Sequence, residues 1–313
     1  MIKIQQKKIY IITYHYVRDV KKSIYPNLKA LETKKFIEQI NFFTKNFNLL
    51  NYDDFNEILL SKKIPRKPSI LLTFDDGYID HYENVFPILQ KKKASGIFYV
   101  PIKTLENKKV LDVNKIHFIL EKEQNRKKIL MLIENYTKKY LNKNLDQLNV
   151  NKIHLNNRWD DKDTFLIKKL LQFHLTDKLR IKIIDKLFKK LINFSEKEFS
   201  KKIYMNKNHL TEMKNNNMYF GIHGFDHLRL GLLNAEEQKE EIRKSILSFK
   251  KMGFNTNNLS ICYPYGSYNN ETLKIIKKNN FKFGVTLRIN EINNKELNNP
   301  FELPRFDCND FLY

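Results

Sequence analysis

Three short motifs in this sequence hold residue types capable of acid–base or metal chemistry. Asp75-Asp76-Gly77 closes the apolar run SILLTFD at residues 69–75; His223-Gly-Phe-Asp-His227 follows MYFGI; Tyr263-Pro264-Tyr265-Gly266 follows LSIC. Two histidines four residues apart at the start of a turn can aim both rings at one centre, and a carboxylate from a neighbouring strand would complete a site of two imidazoles and one carboxylate. Such a set leaves positions open for water and substrate, which marks a catalytic rather than a structural metal. The paired aspartates fit this scheme: one binds the cation, the other stays within hydrogen-bond reach of its water, and the metal charge offsets their repulsion. Gly77 lets the chain turn sharply with its backbone close to the site. The context of the pair is what counts. Asp53-Asp54 leads into Phe55, Ile58 and Leu59 at helical spacing and reads as an N-cap, and Asp160-Asp161 lies in a charged stretch with no strand before it.

In βα architectures functional side chains gather at the C-terminal ends of strands, where the following loops open on one face. The hydrophobic pattern supplies such strands. IYIITYHYV (9–17), a helical pattern through Phe36, Ile37, Ile40 and Phe43, FNLLNY (47–52) and a helix from Asp54 begin a βα rhythm. It resumes after the linker IPRKPS with SILLTFD, a helix over about 79–92 and SGIFYVP (95–101). From 103 to 204 helical segments such as LIKKLLQFHL and RIKIIDKLFKKLI interrupt it, and an inserted helical subdomain is predicted there. The rhythm returns with MYFGIH (218–223), a helix over about 235–252 capped by Asn234, LSICYP (259–264), a helix over about 270–278 and FKFGVTL (281–287). The alternation implies an α/β fold of parallel strands with helices outside, an open sheet or a barrel.

The 313 residues are 42% hydrophobic, which suits a globular α/β domain, and Lys+Arg 57 against Asp+Glu 35 give a net charge of +22. The lysines are scattered and Asn is abundant, so the excess reads as compositional bias rather than a polyanion-binding face. No nucleic-acid-binding motif appears, so no nucleic acid is expected, and a basic binding protein with a vestigial site would rest on charge alone. The N-terminal stretch MIKIQQKKIYIITYHYVRD reads as a strand rather than a signal peptide, and no run approaches the ~18 apolar residues of a membrane span. A cytoplasmic location is expected, with Cys262 and Cys308 as buried free thiols.

TFDDG, the His-x-x-x-His of HGFDH and YPYG, in that order, resemble the polysaccharide deacetylase family, the NodB-type carbohydrate esterases of family 4. The likeness covers about 69–101 and 205–290, with TYH near the start and LPRFD near the end also in the family's style. It implies a distorted (β/α) barrel of the NodB type over 1–313, with the helical insertion 103–204 inside it. It further implies metal-dependent removal of acetyl groups from an N-acetylated sugar, glycan or glycoconjugate. Carried over residue by residue, the resemblance makes Asp75 the general base and Asp76, His223 and His227 the ligands of a divalent metal, zinc being the usual ion. Tyr265 lies where the family's backbone N–H helps hold the oxyanion. Where many members carry an Arg just before the Pro-Tyr motif, this chain has Cys262-Tyr263, and Arg305 in LPRFD is the best substitute for a guanidinium beside Asp75. The family's terminal Leu-x-His is also absent, since no histidine follows His227. His15 in IITYHYV is expected to be the general acid instead, in an order resembling a circular permutation that puts the last strand first.

The same chemistry would serve a non-sugar amide or imide. A cytoplasmic glycan precursor, including one carried on a lipid at the membrane face, is the substrate most natural to a chain without a secretion signal, and the basic insertion could favour such a surface. Trp159 reads as a packing anchor or a sugar-stacking ring, and His81, His117, His154, His174 and His209 as structural or exposed.

Overall fold

A strand sends alternate side chains to opposite faces, so a run apolar throughout must be covered on both. All seven residues of SILLTFD are buried, and the two faces have different company. Ile70, Leu72 and Phe74 cluster with Tyr10, Ile12 and Tyr14 and with Phe36, Ile40, Phe43, Phe86 and Leu89 from helices outside the sheet. Leu71 clusters instead with Ile9, Ile11, Ile97, Tyr99, Phe283 and Val285, which are strand residues facing one another across a curled sheet. Tyr52, Phe55, Ile58 and Leu59 of the helix Tyr52–Ser61 join this inner cluster. Continuing the alternation, Thr73 and Asp75 follow Leu71 along the inner row, and Thr13 follows Ile11. The carboxylate of Asp75 therefore ends an inner face, at the end of the strand where the loops open.

The computed structural model describes residues 6–106, 108–145, 147 and 160–311. Its strands are β1 (Ile9–Tyr14), β2 (Asn48–Leu50), β3 (Ser69–Asp75), β4 (Ile97–Val100), β5 (Tyr219–Ile222), β6 (Ser260–Cys262), β7 (Phe283–Val285) and β8 (Phe306–Asp307). They pair in parallel in the order β7-β6-β5-β4-β3-β1-β8. β1 runs along the whole of β3 up to the pair Tyr14–Phe74. β2 pairs with Ser69–Leu71 and β4 with Thr73–Asp75. The two ends of the order are joined by the stretch 303–307. Leu303 N–H donates to Gly284 O and Thr286 N–H to Leu303 O, both at 2.9 Å, and Arg305 N–H donates to Arg288 O at 2.8 Å. Phe306 and Asp307 then pair with Ile12 and Thr13 of β1. Arg305 thus lies in the seam that curls the sheet round, between the last strands and the first.

Several boundaries differ from the sequence expectation. The first strand ends at Tyr14 rather than 17, because the chain leaves the ladder at His15. The helix expected from Asp54 starts at Tyr52: Asn51 is the cap, in a capping box with Asp54, and Asp53-Asp54 fill the first turn. Asp161, not singled out as a cap, receives the Thr164 N–H at 2.9 Å at the start of Lys162–Lys169. The helix expected over 79–92 is a π-turn, His81–Val85, followed by Phe86–Lys91.

Contacts divide the chain into two compact units. The barrel unit is Met1–Asp19, Ala30–Lys109 and Ser200–Tyr313; the helical unit is Val20–Lys29 and Val110–Phe199. The helical unit is therefore discontinuous where the sequence reading has one segment, 103–204. Tyr25 belongs to it because its ring packs edge-on against Phe118 at 4.8 Å. Within this unit buried Lys115 is neutralised by Asp185 at 2.6 Å and Glu196 at 2.9 Å. Trp159 and His154 lie outside the described residues. Among the described residues no helix is long and apolar enough to cross a membrane.

Candidate metal centre and acid–base groups

β3 delivers Asp75 to the inner face, and the chain then turns at once. Asp76 has φ 71° and Gly77 φ 67°, and a Cβ on Gly77 would stand 2.9 Å from Val100 Cγ1. A left-handed aspartate is strained; here the turn brings two adjacent carboxylates to separate sets of partners.

Asp75 meets Arg305. The guanidinium donates from Nη1 to Oδ1 at 2.9 Å and from Nη2 to Oδ2 at 2.7 Å, a bidentate pair in which both residues are 2% exposed. Thr13 Oγ1 donates to Asp75 Oδ2 at 3.3 Å. Burial alone would raise the Asp75 pKa, but the charge and hydrogen bonds of Arg305 override it and hold the carboxyl well below the usual carboxylate range. Cys262 Sγ lies 3.2 Å from Arg305 Nη2 and 3.4 Å from Asp75 Oδ2, so the thiol occupies the family's arginine position while the guanidinium arrives from the seam.

Asp76 meets the histidines. Its Oδ1 is 3.4 Å from His223 Nε2 and 3.5 Å from His227 Nε2, and the two nitrogens are 3.2 Å apart. Zinc bonds of ~2.0–2.1 Å in tetrahedral geometry put ligand atoms roughly 3.3 Å apart, so the three atoms are spaced as the edges of such a shell. His223 Nδ1 lies 2.8 Å from the Cys262 carbonyl oxygen. A carbonyl only accepts, so Nδ1 carries the hydrogen and Nε2 presents a lone pair to the centre. Burial, and then the charge on His223, push His227 down to about 3; His223 is raised despite burial by its contacts with Cys262 and Asp76. The donor set and spacing fit a divalent metal. Asp75, His223 and Cys262 also come together, but the Arg305 guanidinium already serves as the cation there.

Of the remaining expected residues, His15 comes one residue beyond the last β1–β3 pair, level with Asp75. It is exposed, and its charge acts on Asp75, Asp76 and His227. Tyr265 is in the left-handed region at φ 57°. Its ring lies 4.8 Å from that of His227, with the Arg229 guanidinium 4.2 Å above its centroid. His117, His174 and His209 are outside this cluster, and His81 is fully buried beside it.

Sequence reasoning missed several supports. Tyr78 Oη donates to Asp76 Oδ2, the oxygen turned away from the histidines. Glu241 Oε1 accepts the Asp226 N–H at 2.7 Å and so braces the loop between the two histidines. Tyr78 could have been found from its place directly after the DDG turn, whereas Glu241 is one polar residue among many on its helix.

A parallel-stranded (β/α) barrel with a carboxylate–imidazole cluster and an arginine-paired aspartate at its strand ends defines a class of hydrolase scaffold. The family model for polysaccharide deacetylase matches residues 62–117 and 187–284, and the chain belongs to that family. YxkH of Bacillus subtilis, which carries a polysaccharide deacetylase designation, is 33% identical over 90 residues, 29% of this chain and 32% of that protein's length. Among solved structures, the deacetylase PplD of Streptococcus pyogenes, in complex with acetate, aligns with a TM-score of 0.58 and 20% identity over 97% of this chain and 93% of its own. IcaB from Ammonifex degensii gives 0.53 and 16% over 90% and 84%. These likenesses establish the fold as the distorted (β/α) barrel of the NodB type.

Proposed function

We propose that this protein is a metal-dependent deacetylase that hydrolyses the acetamide of an N-acetylated sugar or glycan. The observation that carries the reading is the convergence, at the end of one strand, of an aspartate held ionised by arginine with a three-residue metal-ligand set. Asp76, His223 and His227 would hold the ion, zinc in the first instance. When bound, it supplies the charge that acidifies a water molecule and polarises the carbonyl. Asp75 accepts the proton of the attacking water, and Arg305 keeps it ionised and aimed for that step. The Tyr265 N–H is the donor for negative charge building on the amide oxygen. His15 hands a proton to the nitrogen as the C–N bond breaks, so that a neutral amine and acetic acid leave, the acid then giving its proton to solvent.

Nothing in this chemistry looks beyond the carbonyl, so the sugar is the part of the reading that comes from family membership. Metal analysis of the purified protein, followed by acetate release from N-acetylhexosamine substrates and from simple non-sugar amides, tests the proposal. One divalent ion per chain and release from the sugars is the expected result. Absence of bound metal with no acetate released, or turnover confined to non-sugar amides, would overturn it.

A further inference from the structure

The stretch that follows the paired aspartates also grips the chain around His15. Asp80 Oδ2 accepts the backbone N–H of Val17 at 3.1 Å and Nε–H of Arg18 at 2.7 Å, and its Oδ1 accepts from Arg18 Nη2. His81 Nε2 lies 2.9 Å from the carbonyl oxygen of His15 itself and must donate, since that oxygen can only accept. Asn84 Nδ2 donates to Val17 O at 2.8 Å. Between these bonds the Tyr16 ring stacks on Tyr78 with centroids 3.9 Å apart. Residues 15 to 18 are each held by the segment 78–85, whose last part is the π-turn His81–Val85, a form that concentrates at functional sites.

The sheet cannot provide this restraint, because the β1–β3 pairing stops at Tyr14. Nor is fold stability a sufficient reason for it: Asp80 is 2% exposed, and buried ion pairs are often replaceable by apolar groups at little cost. What the pair does contribute is a fixed path for the chain that carries His15 past Asp75.

We propose that Asp80, with His81 beside it, is the positioning residue of the proton donor. The segment that supplies the base and a metal ligand thereby also sets where the acid stands. The inference rests on the reading of His15 as that donor.

The test compares Asp80→Ala, Asp80→Asn, His15→Ala and the double variant His15→Ala/Asp80→Ala, each with metal content and melting temperature measured. Substrates are an N-acetylhexosamine and nitrophenyl acetate, whose leaving group departs without a proton. Expected for Asp80→Ala are full metal loading, unchanged KM, unchanged ester hydrolysis and a fall in amide kcat on the order of 10²-fold, the scale of a group misplaced by about 1 Å. Asp80→Asn keeps an acceptor for Val17 and guards against a folding failure; it should fall less. The double variant should be no slower on the amide than His15→Ala, because both changes remove the same function.

Multiplying losses in the double variant, or equal losses on amide and ester, would assign Asp80 a general structural role and overturn the proposal. Normal amide turnover in Asp80→Ala beside a crippled His15→Ala overturns the positioning role alone. Normal turnover in His15→Ala overturns the donor assignment, and the positioning role with it.

Discussion

Asp75 and Asp76 are neighbours in sequence, yet they look into different regions of the molecule. Asp75 faces the seam of the barrel, where Arg305, Thr13 and Cys262 surround it. Asp76 faces the loops above, where His223, His227 and Tyr78 surround it. Both are almost fully buried and both are pulled well below the ordinary carboxylate range against the effect of burial. The causes differ: a permanent guanidinium in one case, titratable imidazoles in the other. A region built around arginine keeps its carboxylate charged and oriented whatever is bound. A region built around two imidazoles has a charge deficit that a cation can fill. Strand alternation followed by a left-handed turn produces this division, so two like charges side by side become two separate functions.

The largest expected effects come from exchanging amides for the two carboxylates. Asp76→Asn should lose the metal together with all measurable deacetylation. Asp75→Asn should keep the metal and lose about 10² to 10⁴ in kcat, the usual range for a general base. Metal content of the two variants, measured beside activity, is the check. Loss of metal in both, or in neither, would break the comparison.

The Asp76 region was legible in sequence and the Asp75 region only in part. Asp76, His223 and His227 each belong to a short motif at the end of an apolar run, so local pattern and the rule about strand ends bring them together. Arg305 lies 230 residues from Asp75. Its motif could be noticed, but its reach depends on the stretch 303–307 closing the sheet, which no local periodicity encodes. β8 is two residues long and leaves no hydrophobic pattern. The same limit explains His15. Its strand was visible, but the end of that strand was set by hydrogen bonds from residues 80–84, and the predicted 9–17 overran. The π-turn was hidden because its apolar spacing also suits an α-helix. The share of Val20–Lys29 in the helical unit follows from the packing of Tyr25, a long-range fact.

Removal of the guanidinium should sharpen the contrast. In Arg305→Met the buried Asp75 loses its counter-charge, and stranding one partner of a buried pair costs about 3–5 kcal/mol. In the wild type the Asp75 pKa is depressed in the folded state, so its stabilising contribution is present above the unfolded value of ~3.9 and is lost as pH falls through the lower folded value. In the variant, burial acts unopposed and raises the pKa, so the folded protein takes up a proton more readily than the unfolded chain. The stability gap between the two proteins should therefore narrow as the solution is acidified, and the acid limb of the variant's kcat profile should move to higher pH. Denaturant midpoints and rates across a pH series would show both. A gap independent of pH would mean that Asp75 is not what Arg305 neutralises.

Tyr78→Phe should have the smallest effect, because it removes the hydroxyl that donates to Asp76 and leaves the ring packing intact. The ring lies between Tyr16, 3.9 Å away, and Tyr204, 6.1 Å away, and phenylalanine preserves both stacks. The hydroxyl is fully buried, and burial followed by the nearby Asp76 charge raises its pKa well above the ordinary value, so it is always a donor. Its bond to Oδ2 leaves Oδ1 as the oxygen turned to His223 and His227. Without it the carboxylate can rotate or accept from water, and the directed lone pair is lost. Outer partners of metal ligands typically contribute 10–100-fold in affinity. Metal affinity in Tyr78→Phe should fall within that range, with kcat at saturating metal close to wild type and the acid limb unmoved, since Asp75 and Arg305 are untouched. A shift of the acid limb would show that the two carboxylates are coupled after all.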